Sequence, residues 1–74
     1  MASEPSPCDV QQQLIAQAQE HLLRLGELAR AEADAVANRS ANLIMEIDRE
    51  IERVLWEKER ALGALYEHRR EHGC

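Results

Sequence analysis

After Pro7 the chain contains no further proline, and from Asp9 onward its apolar residues recur at alternating intervals of three and four. That spacing lays side chains along one face of an α-helix, whereas a half-buried strand would alternate every second residue. The residue types agree with the spacing. Ala, Leu, Glu, Gln and Arg prevail, with one Trp, one Tyr and no Phe, which favours helices over sheets. The expected fold class is all-α.

On a wheel of about 100° per residue, the stretch 9–38 places Ile15, Ala18, Leu22, Leu25, Ala29 and Val36 on one stripe, bordered by Gly26 and Ala33. The stretch 42–72 places Ile44, Ile47, Ile51, Val54, Ala61 and Leu65 on another, which Leu55 and Leu62 widen. The two stripes differ in phase. Steps of seven from Leu22 and Ala29 reach Val36 and then Leu43, but the second stripe runs through Ile44 and Ile51, one position late. A straight helix would therefore shift its apolar seam inside "ANRSAN", residues 37–42, where Asn38, Ser40 and Asn42 are residues suited to caps and turns. The expected organisation is a lead-in over residues 1–8 that contains Pro5 and Pro7, a helix over about 9–38, a turn over about 38–42, a helix over about 42–72 and a tail of two residues. Because neither Gly nor Pro marks the turn, one continuous helix is the competing reading.

An antiparallel hairpin of this kind sets the small residues Ala18, Gly26, Ala29 and Ala33 against the bulky Ile44, Ile47, Ile51, Leu55 and Leu62, as a close-packed layer requires. Leu14, His21, Leu28 and Ala35 extend the first helix's apolar face to one side, and Leu55, Leu62 and Tyr66 extend that of the second. A lone hairpin would leave those margins in water. Dimerisation into a four-helix bundle covers them, so Leu14, Leu22, Leu25, Ala29, Val36, Ile44, Ile47, Ile51, Val54, Leu55, Leu62 and Leu65 are the expected self-association residues. Lys58 stands where the second stripe calls for an apolar side chain, and a single polar residue at such a site tends to fix register and copy number. On the opposite side of that helix, Trp56 with Met45 is the expected contact for a further protein partner, given the weight of Trp at binding hot spots; a Trp lying along the stems of Arg53 and Arg60 is the plainer reading.

At 74 residues the chain is at most one domain, and domains this small usually rely on a metal, a disulfide or a partner chain. A net charge of −5, with nine basic residues interleaved among fourteen acidic ones, argues against nucleic acid as a partner, since phosphate binding draws on massed Lys and Arg. No apolar run approaches a membrane span and the first residues lack a signal-peptide pattern, so neither membrane insertion nor secretion is expected and the location read from sequence is cytoplasmic.

Reactive chemistry is sparse. The acids of the second helix fall beside the apolar stripe, at three-residue spacing from Arg49, Arg53 and Arg60, as solvated ion pairs do. No Glu stands three residues before His21, His68 or His72, so the ligand pattern of di-iron bundles is missing. The serines lie in the lead-in and the turn, and the three glycines are scattered singly. The sequence reads as non-enzymatic, with no cofactor. One constellation supports an alternative. His68 and His72 share a helix face, and an antiparallel hairpin brings Cys8 towards them and Cys74. Two thiolates and two imidazoles suit zinc, and Cys8 with Cys74 would equally suit a disulfide. The principal reading is a helical-hairpin interaction or regulatory module that self-associates; the alternative is a small zinc- or iron-binding or thiol-redox protein that uses Cys8, His68, His72 and Cys74.

Overall fold

The computed structural model describes residues 7–72, and the side chains of residues 8–71. Two helices account for almost all of it: α1, Pro7–Ala37, and α2, Ala41–His72. The first helix begins two residues earlier than the sequence suggests. Proline is well suited to the first helical position, where its ring presets φ and its missing N–H would have had no partner, and Asp9 places a negative charge in the first turn, where the helix dipole favours it. The lead-in over residues 1–6 and the tail of residues 73–74 lie outside the described residues.

The reversal is tight, and its backbone bonds explain how it forms without glycine or proline. Arg39 adopts φ 54°. Its N–H donates to the carbonyl of Val36 at 3.1 Å, and the N–H of Ser40 donates to that of Ala35 at 3.0 Å. This pair of bonds around one left-handed residue is the Schellman C-cap, with Arg39 where glycine is commonest. The Asn38 side chain adds a bond from Nδ2 to the carbonyl of Asp34 at 2.9 Å. Ser40 then takes the N-cap position of α2, its carbonyl accepting the N–H of Ile44 at 3.0 Å. The turn is thus Asn38–Ser40, inside the expected span, and the continuous-helix reading is excluded.

Side chains that meet across the pair fix its register. His21 lies 3.6 Å from Glu57, and Glu32 meets Asp48. An advance of 11 residues along α1 is therefore matched by a retreat of nine along α2, the opposite direction that an antiparallel hairpin requires. This register sets Ala35 level with Ile44, Leu28 with Ile51, Leu25 with Val54, Ala18 with Ala61 and Leu14 with Leu65. The core follows it: Leu28, Ala35, Ile47 and Val54 form the buried cluster, with Leu25, Ile44 and Ile51 packed against it.

The seam of α2 is the one read from sequence. That of α1 is not. Leu22 and Val36 are 51% and 57% exposed, and Ala29, Gly26 and Ala33 are exposed as well, whereas Leu28 and Ala35 are buried at 6% and 2%. Residues expected at the margin of α1 are its core, and of its expected stripe only Ala18 and Leu25 lie on the seam. The turn supplies the reason. The chain reverses at Ala35, whose carbonyl accepts the capping N–H of Ser40; position 35 points inward and position 36, about 100° away, does not. From Ala35 the inward face steps back through Glu32, Leu28, Leu25, His21, Ala18, Leu14 and Gln11, a regular alternation of three and four.

Candidate functional site

Written as heptads, the seam positions a and d of α1 run from Gln11 to Ala35, and those of α2 from Ile44 to His68. In an antiparallel pair the e positions of both helices border one side of the seam and the g positions border the other. The two flanks of this hairpin differ in how apolar they are.

The g flank is mixed, with Gln17, Arg24, Glu50 and Glu57 beside Val10, Ala31, Leu43 and Ala64, and charged residues adjoin it at the c and f positions. His21, Gln17, Trp56, Glu57 and Arg60 line a shallow open cleft with Ala61 and Ala64. Trp56 is 58% exposed, and the Arg60 guanidinium lies 4.8 Å from its ring centre, a cation–π stack. Arg53 bridges Glu50 and Glu57, its Nη1 donating to Glu57 at 2.7 Å and its Nη2 to Glu50. The Arg53 hydrogen bond is the main reason that the Glu50 carboxyl lies below its ordinary value, burial opposing and the charges of Arg53 and Arg24 assisting. Such exposed i, i+3 and i, i+4 pairs stabilise a helix only slightly. Trp56 and Met45 both face outward, as expected; Met45 lies three turns away in a separate cleft with Asn42, Glu46 and Arg49.

The e flank is apolar. From α1 it receives Ile15, Leu22, Ala29 and Val36; from α2, Leu55 and Leu62, with Asp48 and Arg69 to either side of them. The register sets Ile15 beside Leu62 and Leu22 beside Leu55, and Leu22, Val36 and Leu55 are all more than a third exposed. Asp48 is the acidic residue of this flank, and it reaches the inward-facing Glu32, one of whose oxygens, Oε2, is buried without a hydrogen-bond partner. The apposed carboxyls raise the Glu32 pKa: first through the side-chain hydrogen bond with Asp48, then through burial and the Asp48 charge.

The self-association residues expected from sequence therefore divide by role. Ile47, Val54 and Leu65 are buried within the hairpin, Leu14, Leu25, Ile44 and Ile51 are half-buried along the seam, and Leu22, Ala29, Val36, Leu55 and Leu62 form the outer apolar flank. Lys58 occupies its seam position half-buried, level with His21. Sequence reasoning missed the Glu32–Asp48 pair because it assumed the wrong phase for α1. With the seam drawn through Ala35, Glu32 falls on the inward face, a signal that the sequence does contain.

At the open end of the hairpin, Cys8 is disulfide-bonded, and a sulfur in that bond is not a thiolate ligand. His68 is half-buried on the seam near Gln11. Among the described residues no three His, Cys, Asp or Glu side chains are grouped to hold a metal ion; the His72 side chain and Cys74 lie outside the described residues. Nor is any described helix long and apolar enough to cross a membrane. No protein-family model, no characterised protein sequence and no solved structure matches this chain.

Proposed function

We propose that this protein is a non-enzymatic helical-hairpin interaction module that works as a two-fold dimer, its apolar flank closed by a second copy into a four-helix bundle. The observation that carries this reading is the apolar flank itself, which runs along both helices and exposes Leu22, Val36 and Leu55. Surface area supports it. The chain exposes 5923 Å², about 1,300 Å² more than the roughly 4,600 Å² usual for a compact monomer of its mass. A standard interface covers about 800 Å² on each partner, so a second copy would take up part of that surplus. The seam and the e flank together give each helix the three-in-seven apolar face of a bundle helix. The cytoplasmic location and the use of the Trp56–Arg60 side for a further protein partner belong to the same reading.

Sedimentation across a range of concentrations tests it. Wild type should pass from monomer to dimer, and Leu22→Glu, which places a charge in the middle of the flank, should stay monomeric with its helicity retained. A wild type that remains monomeric throughout, or a Leu22→Glu dimer as tight as wild type, would overturn the reading.

A further inference from the structure

Building on that self-association, we infer that the second copy docks antiparallel: each α2 lies along the other α2 with the two turns at opposite ends, and Asp48 of each copy pairs with Arg69 of the other. The e row of α2 reads Asp48, Leu55, Leu62, Arg69, each seven residues from the next. Reversed and laid against itself, this row is its own complement. Leu55 of one copy meets Leu62 of the other, and at both ends of the contact an acid meets a base. A two-fold interface pairs residues in this manner, i with j and j with i.

The axis of the pairing falls midway between Lys58 and Glu59, so each of these stands level with the other in the second copy, again with opposite sign. The first helix follows without conflict. Ile15 lies beside Leu62 and Leu22 beside Leu55, so the same operation sets Ile15 of one copy against Leu22 of the other. From Gln12 to Val36 the e row of α1 and the b row next to it carry no charged residue. The direction of docking is therefore left to α2.

The other two-fold bundle places both turns at the same end and lays α2 along the second copy's α1. Asp48 would then be set against Ala29 and Ala33, and Arg69 against Cys8 and Gln12, all of them without charge. Each ion would lose water on that side and gain no counter-ion, which opposes the contact. Among the described residues neither Asp48 nor Arg69 takes part in a salt bridge, and both side chains are exposed, so both are available to a second copy. Complementary charges of this kind fix register and reject wrong alignments.

The test is charge reversal, read by sedimentation equilibrium of the full chain at low ionic strength, with circular dichroism confirming helicity. Asp48→Arg brings two arginines together at both ends of the contact, and Arg69→Asp brings two acids together. Each should weaken the dimer at least about tenfold, since two pairs change sign at once. The double variant carrying Asp48→Arg and Arg69→Asp should recover most of the loss. An equimolar mixture of the two single variants should form a heterodimer tighter than either homodimer, because both of its pairs are again opposite. These differences should narrow in about 1 M salt, where exposed charges are screened. Single variants that dimerise as tightly as wild type, a double variant no tighter than the singles, or a mixture without preference for the heterodimer would overturn antiparallel docking and leave self-association standing. A wild type that stays monomeric would overturn self-association itself.

Discussion

Arg39 holds a conformation that its side chain disfavours. A β-carbon in the left-handed region crowds the following carbonyl, and only glycine enters it freely. The turn nevertheless needs that conformation at position 39, because both capping bonds onto α1 depend on it. Arg39→Gly should therefore stabilise the hairpin by about 0.5–1 kcal/mol, the relief of strain exceeding the added entropy of the unfolded chain. Thermal melts followed by circular dichroism would show a midpoint roughly 2–8 °C higher for a chain of this size. An unchanged or lower midpoint would mean that the arginine side chain contributes more to the turn than its backbone costs.

Two helices and their order were legible in the sequence, because proline-free periodicity and helix-forming composition act locally. The turn was legible too, through the phase change and the residues Asn38, Ser40 and Asn42. The phase of α1 was not. Its apolar face is three positions wide, so a wheel alone assigns Leu22, Ala29 and Val36 to the seam as readily as Leu28 and Ala35; the choice is made where the chain reverses, at Ala35. α2 offered no such ambiguity, since Ile44, Ile47, Ile51 and Val54 form a run without an equal competitor. The Glu32–Asp48 pair was hidden for the same reason, as it appears only once α1 is turned to its true phase. Truncation distinguishes the two phases directly. Leu28→Ala should cost about 2–4 kcal/mol, the range for a buried leucine, a large share of the roughly 4–11 kcal/mol expected of a chain this long. Leu22→Ala should cost under about 1 kcal/mol when measured at concentrations that keep the protein monomeric. Urea titrations of both variants provide the comparison, and equal losses would favour the phase through Leu22 and Val36.

As a whole the protein is thin, with principal extents of 55 × 25 × 14 Å and a core only one seam deep. Its seam thins past the middle: Leu28, Ile47 and Val54 lie in the half near the turn, whereas beyond the half-buried His21 and Lys58 level Ala18 and Ala61 face one another. The Leu14–Leu65 level is the last large apolar pair before the open end, and beyond it Cys8 is disulfide-bonded. A disulfide within a chain acts mainly on the unfolded state, which loses conformations that the folded chain never had. Reduction should therefore lower the stability of the wild type by about 2–4 kcal/mol, while Cys8→Ser should start at the reduced value and not respond to reductant. The effect should also depend on concentration. Where the chain is monomeric the disulfide is the main restraint on the weak end; where a second copy covers the flank, Ile15 and Leu62 near that end are held by the partner, and dissociation adds a concentration-dependent barrier to unfolding. Urea titrations with and without reductant at low and high protein concentration would show this as a smaller proportional loss at high concentration. An equal proportional loss at both would mean that the second copy does not support the open end. A wild type unaffected by reductant would mean that the seam holds that end unaided, through Leu14, Ala18, Ala61 and Leu65. The distinction bears on where the module can work, because reducing compartments open disulfides. In the cytoplasm the open end would depend on the second copy, and assembly and folding would then be governed by the same apolar flank.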